Sequence, residues 1–303
     1  MPMSLRQLKI FVAVARTGST LAAAADISLS QSAVSASLGE LESLLHTKLF
    51  DRVGKRLVLN DGGRALLTDA VALLDNAQQI ESGFFDKSGL AATTLKLGCS
   101  TTIGSYVLPA LLARYRLMAP QVPIEVNIAN TRHVSTAVAN FEVDMGLIEG
   151  PCNEPDIETT PWLLDEMVIV CSSRHPLASD QVKQRVTHEQ LRSARWLTRE
   201  RGSGTREAVE QALLPHLHQI NIDIELGSSE AIKYAAAEGL WLACLSAVVV
   251  KDLLASGRLS LLQTNLPPLT RRFYLIRHRK KFLSQGLAAF MEHCRSHTIF
   301  DEG

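Results

Sequence analysis

The first 62 residues constrain this chain most, because three short amphipathic segments and a basic hairpin follow one another there. Apolar residues recur at spacings of three and four over Leu5 to Ala15 and stop before Gly18, which is typical of a helix with a glycine end. An alanine-rich second helix is predicted over residues 20–25. Ser30 is a suitable N-cap for a third helix, whose apolar stripe runs from Val34 to Leu45. This order predicts a winged helix-turn-helix.

The polar face of the third helix and the basic hairpin point to double-stranded DNA as the partner. Hydroxyl and amide groups near a helix N-terminus hydrogen-bond base edges or phosphates once the backbone comes close. Residues 1–60 hold seven Lys and Arg against four Asp and Glu, whereas the whole chain has a net charge of zero. The residues predicted to contact DNA are Ser30, Gln31, Ser32, Ser35, Arg52, Lys55 and Arg56. The alternative is a small helical domain packed through its alanines and serines.

A long amphipathic helix is predicted next, over residues 63–87, followed by a hinge at residues 88–94. Its apolar seam alternates spacings of four and three over about three heptads. The seam consists of Leu66, Ala70, Leu73, Ala77, Ile80 and Phe84, and a second row of Leu67, Val71 and Leu74 widens it. The seam predicts pairing with a second copy of the chain, which would carry two DNA-binding helices to two half-sites. Packing of this helix on its own chain is the alternative.

Motifs along this N-terminal region resemble those of LysR-type transcriptional regulators. They are Leu5-Arg6-Gln7-Leu8, Gly18-Ser19-Thr20, Ser30-Gln31-Ser32-Ala33-Val34-Ser35, Leu49-Phe50-Asp51-Arg52 and Asn60-Asp61-Gly62-Gly63. Residues 149–151 and 199–206 extend the resemblance over essentially the whole chain, to a branch of the family that contains a regulator of sulfur assimilation. Many members have a proline at Ser32 or Ala33 and an arginine at Ala36. The wing cations are expected to compensate for the phosphate contact that such an arginine would make.

Beyond residue 94 the pattern changes to alternating strand-like and helical runs, which predicts β-α-β crossovers and a parallel sheet. One set covers residues 95–149, a second follows the turn-rich residues 150–155, and a strand and a helix close the chain. The resemblance implies an α/β, periplasmic-binding-protein-like effector domain of two subdomains. Subdomain I is assigned to residues 95–161 and 268–303, and subdomain II to residues 162–267.

Two loops in this domain are candidates for binding a small anion, because each follows a strand and begins a helix, where backbone N–H groups are unpaired. Residues 99–104 offer three hydroxyls, and residues 201–206 offer glycines beside Arg201 and Arg206. The residues predicted to bind the effector are Ser100, Thr101, Thr102, Asn130, Thr131, Glu149, Gly202, Ser203, Gly204, Thr205 and Arg206. The alternative is that these are ordinary helix caps and turns. Neither loop has the lysine of a nucleotide-binding Walker motif.

The hydroxyl-rich loops predict a small, oxygen-rich anion as effector, with no metal or other cofactor. The resemblance to the sulfur-assimilation branch makes sulfite or a related inorganic sulfur oxyanion the first candidate. It also implies a homotetramer, whereas the heptad seam predicts a homodimer; in either case closure of the cleft is expected to alter how the subunits pair. RNA polymerase is a further partner that the resemblance implies.

Several other functions are less well supported by the sequence. No Gly-x-Ser-x-Gly motif or helical pair of histidines indicates an enzyme. A secreted solute-binding protein is disfavoured by the DNA-binding motif and the lack of an apolar N-terminal signal, so a cytoplasmic location is expected. The main alternative is a redox-sensing regulator, because the chain has five cysteines. Of these, Cys152 is the best candidate, since it lies in a polar turn.

Overall fold

The computed structural model describes residues 3–54, 56–85, 94–180 and 185–296. Its N-terminal domain contains α1 (Leu5–Thr17), α2 (Thr20–Asp26) and α3 (Gln31–Leu44), followed by the antiparallel hairpin of β1 (Phe50–Val53) and β2 (Arg56–Leu59). The predicted caps are confirmed. Gly18 ends α1 with a φ of 66°, and the Ser30 hydroxyl accepts a hydrogen bond from the Ala33 N–H at the start of α3. These elements form the predicted winged helix-turn-helix; Lys55 lies outside the described residues.

The long helix α4 (Asp61–Phe85) has 25 residues and packs one face on the N-terminal domain of its own chain. Leu67, Ala70 and Val71 are buried in the core of that domain. Ala70 is 0 % exposed, so its predicted role in contacting a second copy is wrong. Leu73 and Ile80 keep 46 % and 64 % of their surface exposed, as a pairing seam requires. The side chain of Phe84, and the predicted hinge except for Thr94, lie outside what the structure describes.

None of the described helices is long and apolar enough to cross a membrane by itself. Helices α1 and α2 meet that requirement of length and composition only when taken together, across a bend of 117°. Their apolar side chains lie largely in the core of the N-terminal domain, which accounts for their hydropathy.

Subdomain I is a three-layer α/β unit. It contains β3 (Leu95–Ser100), α5 (Leu108–Met118), β4 (Ile124–Ala129), α6 (Thr131–Ala139) and β5 (Met145–Glu149). A π-helical turn, Ile103–Val107, leads into α5. Strand β3 pairs in parallel with both β4 and β5, as the alternating pattern predicts. The carboxyl ends of these strands therefore open towards the same edge of the sheet.

Subdomain II has the same kind of alternation. It contains α7 (Pro176–Asp180), α8 (His188–Ser193), β7 (Trp196–Arg199), α9 (Gly204–Leu217), β8 (Ile222–Leu226), α10 (Ser229–Ala237), β9 (Ala243–Ser246), α11 (Ala247–Ala255) and β10 (Leu259–Leu261). Strands β7 and β8 are parallel. Trp196, which is 1 % exposed, anchors the core on one side of this subdomain, and its indole N–H donates to the Leu191 carbonyl.

Two long strands connect the subdomains, and they correct the expectation of a parallel sheet. Strand β11 (Leu269–His278) pairs antiparallel with residues 157–167 of strand β6 (Ile157–Ser172) and also with β5, and the rest of β6 pairs with β9 and β10. The sheet is mixed because both strands pass between subdomains instead of returning through a helix on one side. The final helix α12 (Gln285–Ser296) packs on α5. The two subdomains are thus connected by the same pair of strands, β6 and β11.

Candidate functional site

The predicted effector-binding loops meet at the carboxyl ends of β3, β4, β5 and β7. Contacts between backbone groups and short side chains join the two subdomains there. The Gly204 N–H donates to the Thr131 hydroxyl (3.2 Å), and the Arg132 N–H donates to the Gly202 carbonyl (3.0 Å). A Cβ at Gly204 would lie 1.9 Å from the carbonyl oxygen of Glu149, so only glycine fits at this position. The cleft between the subdomains is closed at this point.

The Glu149 carboxylate lies at the centre of the cleft and is 1 % exposed. Its Oε1 accepts the Thr102 N–H (2.8 Å), and its Oε2 accepts the Thr205 hydroxyl (2.5 Å) and Arg271 Nη1 (2.8 Å). Burial alone would raise the pKa of this carboxyl, but Arg271 and the hydrogen bonds outweigh burial and lower it. Thr102 and Thr205 were predicted to donate hydrogen bonds to an external anion, but in the structure they donate to a carboxylate of the chain itself.

Arg271 is a central residue that sequence reasoning missed. It lies on β11 with a side chain 4 % exposed, and its Nε donates to Asp165 (2.7 Å), which also accepts the Ser246 hydroxyl (2.6 Å). One cation thus bridges carboxylates from two strands. Its signal in the sequence is periodicity, because Arg271 alternates with Leu269 and Phe273 on the buried face of the strand. A charged residue in such a position requires a buried partner.

A second buried arginine, Arg199, closes the other side of the cleft. It lies at the end of β7 with a side chain 1 % exposed. Its Nη1 donates to the hydroxyls of Thr101 (2.7 Å) and Ser229 (3.0 Å), and its Nε donates to Glu200 (2.8 Å). Asn130 in turn donates to Glu200 (3.1 Å). The Arg199–Thr101 and Asn130–Glu200 hydrogen bonds join subdomain I to subdomain II.

Two predicted hydroxyls remain without the caps or partners that their neighbours have. Within the described part of the chain, the Ser100 Oγ is buried and has no hydrogen-bond partner. Ser203 is 1 % exposed and precedes α9 without a side-chain capping bond. A buried hydroxyl without a protein partner is costly, so the Ser100 hydroxyl is available to hydrogen-bond a ligand.

Arg206 lies beside the cleft and is engaged elsewhere. Its guanidinium donates to Glu210 (2.7 Å), to Glu225 (2.5 Å) and to the Arg199 carbonyl (3.1 Å). These contacts tie α9 to β7 and β8. Arg199 and Arg271 are the buried cations that contact the predicted binding residues, whereas Arg206 holds α9 against β7 and β8.

Apart from Lys55, which is outside the described residues, the residues predicted to contact DNA are exposed on the N-terminal domain. Gln31, Ser32 and Ser35 are exposed on α3, and Arg52 and Arg56 are exposed on the two strands of the wing. The Ser30 hydroxyl caps α3 and lies 3.0 Å from the Ser32 hydroxyl. A helix with small polar side chains beside a cationic hairpin can read a groove and contact the neighbouring phosphates.

The comparisons with known families decide what this arrangement belongs to. Residues 5–64 match the model of the bacterial regulatory helix-turn-helix proteins of the lysR family, and residues 88–298 match the LysR substrate binding domain. The chain belongs to the LysR family of transcriptional regulators. Regulators of this family bind promoter DNA and form oligomers.

Relatives of this LysR-family regulator include members of the predicted branch. The chain is 48 % identical over 294 residues to the HTH-type regulator YeiE of Escherichia coli, covering 97 % of this chain and 98 % of YeiE. It is 32 % identical over 269 residues to the regulator CysL of Bacillus subtilis, covering 89 % of each chain. The predicted resemblance to this branch is confirmed.

Solved structures confirm the fold of the regulator. A full-length OxyR from Pseudomonas aeruginosa is similar over 98 % of this chain and 96 % of its own, with a TM-score of 0.78 and 23 % identity. The regulatory domain of CcmR from Synechocystis, solved in complex with 2-PG, is similar over 67 % of this chain and 96 % of its own. Its TM-score is 0.60, and its identity to this chain is 30 %.

The cysteines of the regulator give little support to redox sensing. Cys99, Cys171, Cys244 and Cys294 are buried, and burial raises the pKa of the last three to about 12 and that of Cys99 further still. They are therefore protonated at neutral pH, whereas the thiolate is the reactive form. Cys152 is half-buried, so the redox alternative depends on this residue.

Proposed function

We propose that this regulator senses a small oxyanion, with sulfite as the first candidate, in the cleft between its two effector subdomains. The observation that carries the proposal is the Ser100 Oγ, which is buried without a partner in the described residues, where β3 ends and a helical segment begins. An oxyanion at this position would accept its hydrogen bond and face the N-terminal end of that segment. Thr101, which already contacts Arg199, lies next to it in the chain.

The close approach of the loops favours a small ligand. Gly204 fits against the Glu149 carbonyl only because it has no Cβ, and Gly202 adopts a φ of 88° beside Arg132. A bulky organic acid would require these loops to separate and the hydrogen bonds between the subdomains to break. An inorganic oxyanion is compatible with the closed arrangement.

The charges of the cleft favour an anion held mainly by hydrogen bonds. Arg271 is bonded to Glu149 and Asp165, and Arg199 is bonded to Glu200, so both buried cations have carboxylate partners. A ligand with several negative charges would meet these carboxylates at short range. A compact anion that accepts hydrogen bonds from hydroxyls and backbone N–H groups is the better match.

On the DNA side, we infer that Gln31, Ser32 and Ser35 face the bases and that Arg52 and Arg56 face the phosphates. Two copies would pair through the exposed seam of α4, to which Leu73 and Ile80 contribute. Closure of the cleft would then alter the spacing of the two DNA-binding domains, because each domain is joined to its effector domain through α4. A promoter-binding regulator of this kind acts in the cytoplasm.

Isothermal titration calorimetry with sulfite, sulfate, thiosulfate and 2-PG tests the effector. We expect sulfite to bind, and Ser100→Ala to weaken binding about tenfold, which corresponds to one lost hydrogen bond. Ser105→Ala is the matched control, because Ser105 lies on the same helical segment with an exposed side chain. Binding of 2-PG without any heat from the sulfur oxyanions would contradict the proposed ligand class, and equal affinity of the two variants would contradict the site.

Fluorescence anisotropy of labelled DNA from upstream of the gene tests the link to regulation. At fixed salt, we expect specific binding whose affinity or stoichiometry changes when sulfite is added. Binding that ignores sulfite would leave the regulator intact and remove sulfite as its effector. An absence of specific binding to this DNA would argue against autoregulation.

A further inference from the structure

A second buried ionic cluster lies far from the cleft, where subdomain I meets the α4 helix of the same chain. Lys281 follows β11, and its Nζ lies 2.8 Å from Asp75 on α4 and 2.9 Å from Asp144 just before β5. The Lys281 side chain is 10 % exposed. The neighbouring Lys280 is 60 % exposed and lies 3.7 Å from Asp69. Adjacent lysines thus make one buried and one exposed contact with the same helix.

The surroundings of Lys281 fix its position. Asp144 also accepts the Lys96 backbone N–H (2.7 Å), which holds its carboxylate in place on subdomain I. Burial alone would lower the pKa of Lys281, but Asp144 and Asp75 outweigh burial and raise it, so the lysine stays charged. Removing Lys281 leaves two part-buried carboxylates without their shared cation, which costs more than losing an exposed ion pair.

An aromatic contact accompanies the ionic cluster. Phe141 has a φ of 57° and packs against the core of the N-terminal domain. Its ring centroid lies 4.1 Å from that of His278, the last residue of β11. A separate cavity of about 750 Å³ lies beside this contact. It is lined by the N-terminal domain, α4 and subdomain I, and Lys281 is one of its lining residues. The ionic cluster and the Phe141 contact therefore lie at the border of an open cavity between the two bodies.

We propose that Lys281 is a latch that holds the α4 helix and the N-terminal domain in one orientation on subdomain I. The ionic cluster joins the two bodies beside an open cavity. Strand β11 carries Arg271 near its start and His278 at its end, about 23 Å apart at the rise of an extended strand. The latch and the cleft between the effector subdomains are therefore connected by one strand, β11. Releasing Lys281 frees the DNA-binding domain to reorient.

Hydrogen–deuterium exchange of the full-length protein, without DNA or any effector, tests the latch. We expect Lys281→Asp to accelerate exchange in residues 72–78 of α4 about tenfold, because this segment loses its ionic contact with subdomain I. Lys280→Asp is the matched control and should leave exchange in this segment unchanged. Lys281→Met, which keeps most of the apolar stem, gives the same comparison if the charge reversal impairs folding. Equal exchange in the Lys281 and Lys280 variants would overturn the proposal.

A charge exchange tests whether the pair itself is responsible. The double variant Asp75→Lys with Lys281→Asp restores an ion pair of opposite charges between α4 and the residues after β11, so we expect it to restore slow exchange in α4. Hydroxyl-radical footprinting on operator DNA should follow the same order, with altered protection for Lys281→Asp and recovery in the double variant. Faster exchange that the double variant does not reverse would show that the Lys281–Asp75 pair is not the latch.

Discussion

The surface predicted to bind DNA and the cleft between the subdomains carry similar polar side chains, but these are exposed on the first and buried in the second. On α3 and the wing, the predicted polar residues Gln31, Ser32, Ser35, Arg52 and Arg56 are exposed to solvent. In the cleft, Thr102, Thr205 and Arg271 are buried and bonded to Glu149. The exposed residues are proposed to gain their partners only when DNA binds. In the cleft, the protein supplies most partners itself, so a ligand has to use what is left or compete with Glu149.

This difference separates two ways of recognising an anion. Exposed cations lose little when DNA is absent, because water solvates them, and their contacts with phosphate depend strongly on salt. Buried groups must be paired at all times, so the cleft carries its own carboxylates. Substitutions in the cleft should therefore affect folding first, and substitutions on the DNA surface should affect binding alone.

The largest expected effect is at Arg271. Replacing it by alanine leaves Glu149 and Asp165 buried without a cation, and we expect a loss of about 3 to 5 kcal/mol in the free energy of unfolding. Urea denaturation of the full-length protein measures this loss. Arg272→Ala on the same strand is the control, because Arg272 is exposed. Similar stability of the two variants would show that the Arg271 cluster does not hold the subdomains.

A smaller loss is expected from Gly204→Ala. The added Cβ would meet the Glu149 carbonyl at 1.9 Å, so the loops must move apart, at a cost of about 2 kcal/mol for overpacking. Gly227→Ala is the control, since nothing lies within 4 Å of the corresponding Cβ. Thermal unfolding compares the two. If the Gly204 variant unfolds at the same temperature as the control, the loops are not in tight contact in solution.

Thr205→Val should change stability with a characteristic pH dependence. The pKa of Glu149 is lowered in the folded protein, so its ionisation stabilises the fold above the pKa of the unfolded carboxyl, about 4.3. That contribution is lost as the pH falls through the folded pKa. Removing the Thr205 hydroxyl raises the folded pKa and costs about 1.5 kcal/mol at neutral pH. Urea denaturation between pH 3 and 7, in steps of about one unit, should show this difference shrinking on the acid side; a constant difference would contradict the role of Thr205.

The smallest effect on folding is expected from Arg56→Ala in the wing. Because Arg56 is exposed, the free energy of unfolding should change by less than about 0.5 kcal/mol. DNA binding should weaken, and the slope of the logarithm of affinity against the logarithm of salt concentration should fall by about 1. Anisotropy titrations at several salt concentrations measure this slope, with the exposed Lys9 on α1 replaced as control. An unchanged slope would place the wing away from the phosphates.

Local patterns predicted most elements well, and the exceptions have a common cause. The caps at Gly18 and Ser30 follow from a few adjacent residues, and the structure confirms them. The seam of α4 was also visible, but Ala70 packs inside its own chain. Spacing identifies an apolar face, whereas only packing decides which neighbour covers each residue of that face.

The effector cleft was predicted in part for the same reason. Ser100 to Thr102 and Gly202 to Thr205 follow strands and begin helices, so their location could be predicted from the chain alone. Arg271 comes from a strand 66 residues beyond Thr205, and its pairing partners are on β5 and β6. No local pattern brings these residues together, because their contact depends on the antiparallel pairing of β11 with β5 and β6.

The amino-acid sequence by itself determined the winged helix-turn-helix, the long helix after it, the two α/β subdomains and the membership of the LysR family. These follow from periodicity, caps and motifs, which act over a few neighbouring residues. Only the tertiary structure decided that Glu149 occupies the donors of the cleft, that Arg271 bridges two carboxylates and that Lys281 joins subdomain I to α4. Those contacts bring together residues far apart in the chain. The burial that makes them strong exists only once β5, β6 and β11 have paired.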